Sequence, residues 1–338
     1  MSVTVPSPPA ARPVGSTNGA PSSQRGHKKR MLIIVNPYAT TVSDRLKNLV
    51  VYALQGRYEV EAVLTESQNH ATEIGAEARD GGYDIVVAFG GDGTLNEIAN
   101  GLAGTDVPVT ILPGGSTNVV ARTLGIPNDV VDATEHLLAL ADCFEPRRID
   151  LGIANGRRFV FACGSGLDAS AAMRVDQRPK LKARGGPYYY GWVALASFYR
   201  EYLRNPVRMR LECQGQGIEG ITVLAQNSDP FSYFGRRPIR VCEGISIDDG
   251  TLSVAVLRRA AQRDLAPVVT RVLTERLRAS RNRQIDHFDD VLEARVSSVS
   301  TGDDGEPRPF PVEVDGDYIG VHSELDLAID PGALTIVA

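Results

Sequence analysis

No apolar stretch of this 338-residue chain approaches the roughly 18 residues needed to cross a bilayer, and its N-terminus has no apolar signal core. The expected location is therefore cytoplasmic. Cysteine is scarce: Cys143, Cys163, Cys213 and Cys242 lie far apart with no Cys-x-x-Cys spacing. This excludes a disulfide framework or a thiolate zinc site, leaving buried thiols in a reducing compartment. Positive charge is not in surplus, since the formal net charge is -5, which argues against a nucleic-acid partner. Internal repeats are absent too. What remains is a chain that is 43% hydrophobic and long enough for about two buried cores.

Residues 1–29 are rich in Pro, Ser, Ala and Gly, with Arg25, Lys28, Lys29 and Arg30 crowded before the first apolar run. Such a segment has little to bury, so a disordered, solvated tail is expected, its basic end within reach of membrane phosphates. Short apolar strands at 32–35, 60–64, 85–89 and 109–112 alternate with helical patterns at about 43–55, 69–80 and 95–103. That alternation predicts a doubly wound α/β domain with a parallel sheet, over residues 30–145. From Arg147 the pattern changes to short strands at 147–153, 157–163, 207–212, 219–226, 251–257, 285–289 and 291–296, broken by helices near 187–204 and 263–279. A second, mostly antiparallel β-sandwich domain over 146–320 follows, with a cleft between the two. Strands at 324–329 and 333–337, within the last segment 321–338, could return to the first domain.

Twelve residues carry most of the chemistry. Val86-Val87-Ala88-Phe89-Gly90-Gly91-Asp92-Gly93-Thr94-Leu95-Asn96-Glu97 reads as a buried strand, a glycine turn and a helix start near Leu95, capped by Asp92 or Thr94. Glycines there permit positive φ and let amides approach an anion, and the helix N-terminus adds to the pull. Asp92 would repel a bare phosphate but suits a divalent cation or a substrate hydroxyl beside one. Ile111-Leu112-Pro113-Gly114-Gly115-Ser116-Thr117-Asn118 repeats the arrangement, followed by a helix through Val119, Val120, Arg122 and Leu124 that ends before Pro127. Two such turns at the ends of parallel strands face one crevice. Ordinary strand-to-helix turns are the plain alternative for either motif alone.

Together with Ile33-Ile34-Val35-Asn36-Pro37, Cys163-Gly164-Ser165-Gly166-Leu167-Asp168-Ala169, Ile247-Asp248-Asp249-Gly250-Thr251-Leu252 and Val314-Asp315-Gly316-Asp317, these motifs resemble the diacylglycerol kinase catalytic domain family, which includes bacterial lipid kinases and the sphingosine and ceramide kinases. The similarity spans about residues 31–338. The Gly-Gly-Asp-Gly-Thr core alone also occurs in NAD kinases; Asn96-Glu97 and the late Asp-Gly-acid motif favour the lipid-kinase branch. The resemblance implies ATP and Mg²⁺ as cofactors. It places the nucleotide on Asn36, Pro37, Tyr38, Ala39, Thr40, Thr65, Gly91, Asp92, Gly93, Thr94, Leu95, Asn96, Glu97 and Thr117, although Ala39-Thr40 stands where Ser-Gly is usual. It makes Asp317, one methylene shorter than the family's glutamate, the matching proton acceptor, with Asp315 or a bridging water as substitutes. It also implies a structural cation, Mg²⁺ or Ca²⁺, on Ser246, Asp249 and Thr251. On local evidence alone Asp248-Asp249-Gly250 reads as a hairpin turn, and Asp315-Gly316-Asp317 as turn residues.

Between Arg174 and Arg210 nine Arg or Lys face only Asp176 and Glu201, interleaved with Tyr188, Tyr189, Tyr190, Trp192, Phe198, Tyr199 and Tyr202. Trp192, Leu195, Tyr199 and Tyr202 share a helical face, while Pro179, Gly185 and Gly186 mark a loop. A helix packing aromatics inward fits this pattern; so does a surface resting on anionic headgroups at the inner face of a membrane. The expected function is an ATP-dependent lipid kinase, with diacylglycerol the leading acceptor. The alternatives are an NAD-kinase-like enzyme for a soluble acceptor and an inactive nucleotide-binding relative. Oligomeric state is left open, a homodimer included.

Overall fold

The computed structural model describes residues 28–259, 261–273 and 279–338. In chain order the first domain contributes β1 (Arg30–Val35), α1 (Asp44–Leu54), β2 (Glu59–Leu64), α2 (His70–Ala78), β3 (Ile85–Gly90), α3 (Asp92–Leu102), β4 (Val109–Pro113), α4 (Val119–Thr123) and α5 (Val130–Leu140). Strands β2, β1, β3 and β4 lie side by side, all parallel. Every residue of β3 and β4 is buried, because helices cover both faces; hence their sequences read as unbroken apolar runs.

The chain then forms β5 (Arg147–Ala154), β6 (Arg157–Phe159), β7 (Ala162–Gly166), α6 (Leu167–Asp176), α7 (Pro179–Ser197), β8 (Met209–Cys213), β9 (Gln216–Gly220), β10 (Thr222–Gln226), β11 (Ser232–Phe234), β12 (Arg237–Ile239), β13 (Leu252–Leu257), α8 (Gln262–Leu273), β14 (Ile285–Val291), β15 (Glu293–Ser298), β16 (Phe310–Val314), β17 (Asp317–His322) and β18 (Glu324–Ile336). An antiparallel sheet in the order β14-β13-β10-β7-β16-β17 packs against β8, β15 and β18. Met209, Leu211, Val296 and Leu325 from one side meet Val223, Val254, Val312 and Val314 from the other, which makes the sandwich core. β18 runs parallel to β4 and antiparallel to β15 and β5, so the first sheet continues into the second domain.

Several elements differ from the sequence-based expectation. α3 starts at Asp92, not Leu95, with Gly91 as its N-cap and no capping side chain. The segment expected as a loop at 179–186 is the start of α7, whose Pro179 suits a first helical turn; the side chains of Lys180, Lys182 and Arg184 lie outside the described residues. Past Ser197 the helix widens to π geometry over Phe198–Tyr202, which rotates Tyr202 inward, while Trp192, Leu195 and Tyr199 remain exposed. α5, capped by the Asp129 carboxylate on the Val131 and Asp132 amides, and α6 were not anticipated. The two C-terminal strands form one, with an irregularity between Asp330 and Leu334. At the N-terminus, Lys29 lies over the Phe144 ring and Arg30 over Tyr83, while Lys28 donates to Gln55 O; these three cations pack onto the first domain rather than trailing from it. Arg25 and the rest of the expected tail through residue 27 lie outside the described residues. Three cysteines are buried, but Cys143 is exposed.

Candidate active site

The two glycine turns touch each other. A Cβ on Gly115 would stand 2.8 Å from the Cα of Gly91, and one on Gly114 would stand 3.2 Å from the Cα of Gly90. The Gly114 amide also donates to Gly90 O at 2.7 Å. None of Gly90, Gly91, Gly93, Gly114 and Gly115 is in the left-handed region. At Gly114 and Gly115 glycine serves the close approach of two backbones, and at Gly90 and Gly93 it leaves room for the Thr94 and Asp317 side chains; unusual φ is not the reason at any of them. Asn36 ties in the first strand by donating to Thr94 Oγ1 at 3.1 Å and accepting the Tyr38 amide at 2.9 Å.

Asp92 spans the two turns. Its carboxylate accepts the Val119 amide at 3.0 Å and the Val120 amide at 3.1 Å, and so closes the start of α4 from the first residue of α3. Burial outweighs these bonds and raises its pKa above the usual carboxylate value. Part of the residue still faces the cleft. In the fold its first partners are thus amides, with the remainder of the carboxylate turned to the cleft. Glu97 is similarly engaged, accepting from the Asn69 and Ala71 amides at the start of α2.

Asp315 is buried and fully used. Its oxygens accept the amides of Val160 (2.7 Å), Phe161 (2.9 Å) and Ala162 (3.1 Å) and the side-chain amide of Asn96 (2.7 Å). Burial pushes its pKa up to about 6, with the four donors pulling the other way. With its acceptor positions filled, Asp315 pins the β6–β7 connection and α3 together and is no substitute proton acceptor. Asp317 is placed differently. A Cβ on Gly93 would lie 2.1 Å from Asp317 Oδ2, so this carboxylate rests directly on the first glycine turn.

A second acid pair went unnoticed in the sequence. Glu313, buried on β16, meets Asp168 at the start of α6, and both pKa values are raised, chiefly by burial and, for Glu313, by the Asp168 charge. Tyr190 donates to Asp168 Oδ1 at 2.8 Å and the Gly316 amide to Glu313 Oε2 at 2.7 Å. Alternation along β16 sends Phe310, Val312 and Val314 into the sandwich core and Glu313 to the opposite face, so the sequence pattern gave no sign that Glu313 is buried against the cleft.

These parts line one cleft of about 1300 Å³. At one end stand Asn36, Tyr38, Ala39, Thr40, Thr65, Gly91, Asp92, Gly93, Thr94, Glu97 and Thr117. Of the residues expected to hold nucleotide, Pro37, Leu95 and Asn96 do not line it: Leu95 is in the core and Asn96 is turned to Asp315. The other end is an apolar arm with Leu167, Leu195, Phe198, Leu224, Phe231 and Val241 in its wall. Asp317, Glu313 and Asp168 lie on the lining as well. Ser246, Asp249 and Thr251 form a separate loop outside the lining, closed by Asp249, which accepts the Ser246 amide at 2.8 Å and the Thr251 amide and hydroxyl at 3.2 Å. No cluster of three His, Cys, Asp or Glu able to hold a metal occurs among the described residues.

A parallel-sheet domain whose paired glycine turns face an apolar arm across a carboxylate defines a phosphotransferase of an apolar acceptor. Residues 30–151 match the diacylglycerol kinase catalytic domain, and residues 162–338 match the YegS C-terminal NAD kinase beta sandwich-like domain. The chain belongs to this diacylglycerol kinase family and is a lipid kinase, with ATP the phosphate donor that the family implies. It is 27% identical over 302 residues to a diacylglycerol kinase of Staphylococcus aureus (strain MRSA252), covering 87% of each chain, and 26% identical over 300 residues to that of strain JH9, with the same coverage. A diacylglycerol kinase crystal structure from Bacillus anthracis str. Sterne superposes with a TM-score of 0.66 at 21% identity, covering 91% of this chain and 96% of that one. A second structure from that organism reaches 0.71 at 24% identity, with 93% and 97% covered. Both show likeness of fold. No described helix is long and apolar enough to cross a membrane.

Proposed function

We propose that the protein transfers the γ-phosphate of ATP to the free hydroxyl of diacylglycerol, giving phosphatidic acid for phospholipid synthesis. The observation that carries this reading is the continuity of the cleft: amides and hydroxyls at one end, an apolar arm at the other, and Asp317 on Gly93 between them. In this reading the glycine turns and Thr117 cradle the phosphates and the acyl chains fill the arm. Asp317 accepts the proton of the attacking hydroxyl, which needs only an ionised carboxylate within hydrogen-bond reach.

The described lining also carries Asp92, Glu97, Asp168, Asp176, Asp264, Glu313, Asp315 and Asp317 but Arg259 as its sole Lys or Arg. A triphosphate beside so many carboxylates calls for Mg²⁺, which would neutralise the phosphates as the group moves. Asp92, through oxygen lone pairs left on its cleft side, would order that ion's waters. Ser246, Asp249 and Thr251 gather oxygens of the kind a hard cation prefers and would hold a second, structural ion away from the reaction.

The mouth of the arm is the proposed contact with an anionic membrane at the inner face of the cell envelope. Tyr188, Trp192 and Leu195 line the cleft and are exposed, Trp192 by 61%. Arg178, Arg200 and Arg204 are exposed nearby in sequence, and Arg236 and Arg237 are exposed on the β11–β12 hairpin, whose Phe234 meets Tyr188. Labelled phosphate transfer from ATP, resolved by thin-layer chromatography over diacylglycerol, ceramide, sphingosine and NAD, tests the assignment. Label in phosphatidic acid is expected, and label in NADP alone would overturn it.

A further inference from the structure

We infer that Arg122 is a positioning residue that latches the β11–β12 hairpin as the cover of the acceptor arm. The inference rests on the reading that the arm receives the lipid. The hairpin forms a two-stranded sheet of its own, paired through Ser232–Ile239, Tyr233–Pro238 and Phe234–Arg237. A lone two-stranded ribbon is marginal in water, so its position is set by what it leans on. From the first domain, the Arg122 guanidinium lies over the Tyr233 ring, 4.6 Å from its centre, and donates from Nη1 to Gly235 O at 2.9 Å. From the second, Tyr188 meets Phe234 edge to face at 4.8 Å. Phe231, Tyr233 and Phe234 line the cleft, so moving the ribbon opens the arm.

Arg122 also belongs to α4, the short helix whose first amides hold the Asp92 carboxylate. One rigid turn thus has the phosphate cradle at its start and the lipid cover near its end. Arg122 itself does not line the cleft. It acts through Tyr233 and Gly235, and its loss should be felt by the lipid more than by the nucleotide.

The test uses the full-length enzyme with dioleoylglycerol in mixed micelles. Arg122→Ala should raise the acceptor KM about tenfold, the scale of one cation–π contact plus one charged hydrogen bond, with ATP KM within about twofold. It should also speed tryptic cleavage of the exposed Arg236–Arg237 bond, read by mass spectrometry; the next bond is protected by Pro238. Arg122→Lys, which keeps the charge but not the planar fork, should recover part of both effects. Tyr233→Leu attacks the latch from the other side and should reproduce them, the double variant being no worse than the worse single one. Unchanged cleavage in Arg122→Ala and Tyr233→Leu overturns the latch. Faster cleavage with an unchanged acceptor KM overturns the link to the acceptor, as does a parallel rise in ATP KM. Leu224→Trp, in the arm wall and away from the latch, separates the underlying reading: unimpaired lipid turnover in that variant means that the arm does not take the acceptor.

Discussion

Gly93 separates folding from chemistry in this enzyme, and replacing it with alanine should improve one while damaging the other. It occupies the first turn of α3 without a left-handed φ, so an alanine fits the backbone and favours the helix by about 1 kcal/mol. The new methyl, however, would lie 2.1 Å from Asp317 Oδ2 and 3.1 Å from its Cγ. Ordinary contact begins at about 3.4 Å, so the carboxylate must retreat by more than 1 Å; being the end of a side chain, it can do so without unfolding anything. A displacement of about 1 Å in a reacting group costs on the order of a hundredfold in rate. The expected result for Gly93→Ala is an equal or higher Tm, an ATP KM close to native, and a kcat lowered roughly a hundredfold. Gly93→Ala/Asp317→Ala should be no slower than Asp317→Ala alone, because the methyl acts by moving that carboxylate. A folded Gly93→Ala enzyme with native kcat would refute the placement of Asp317 as the proton acceptor.

The two late acids should part company under mutation: Asp317→Ala lowers kcat by roughly 10²-fold or more at unchanged Tm while Asp317→Glu stays active, whereas Asp315→Ala orphans four buried donors and loses at least about 3 kcal/mol of stability in a urea melt. A stable, inactive Asp315→Ala beside an active Asp317→Ala would exchange their roles. Asp92→Asn keeps one amide acceptor and loses the other, so a stability loss of about 1–3 kcal/mol should accompany a fall in activity of roughly a hundredfold; retained turnover in the folded variant would remove Asp92 from the reaction. Glu313 has a folded pKa well above its ordinary value of 4.5, so the unfolded chain releases this proton first and stability declines as pH rises from about 4.5 toward the folded value. Glu313→Gln cannot lose that proton, and its Tm should fall less between pH 5 and 9 than the native enzyme's; parallel Tm profiles would mean that Glu313 is ionised in the fold. Cosedimentation with anionic vesicles should weaken in Trp192→Ala combined with Arg200→Gln and Arg204→Gln, most clearly at low salt, and native binding should itself fall as ionic strength rises; unchanged binding would place the membrane contact elsewhere.

The first domain was legible because its physics is local. Unbroken apolar strands such as Ile85–Gly90 require a sheet covered on both faces, and the glycine turns follow directly from them. What those glycines do was not legible, because the contact of Gly115 with Gly91 and of Gly93 with Asp317 joins residues far apart in sequence. The same distance hid the use of Asp92 and Glu97 as remote helix caps. A carboxylate near a glycine motif carries no mark saying whether its partner is a cation or an amide. The start of α7 misled for the opposite reason: local breaker signals at Gly185 and Gly186 were overridden by the helix begun at Pro179.

The sheet topology constrains how the enzyme can open. Because β18 pairs in parallel with β4 and antiparallel with β15, a covalent and hydrogen-bonded ladder runs from the glycine-turn strands into the sandwich. Asp315 adds a second tie, bonding Asn96 of α3 to the β6–β7 connection. Asp150 adds a third: it lies on β5 between Ile149 and Leu151, which belong to the first domain's core, and accepts the Gly250 amide beside the sandwich strand β13 at 2.6 Å. Rotating one domain as a body against the other would break all three at once. The phosphate cradle and Asp317 are thus held in one frame, which suits a reaction whose acceleration comes from positioning. Access for a bulky acceptor must then come from elements with few ties, and the β11–β12 hairpin, attached to the first domain through Arg122 and Tyr233, is such an element.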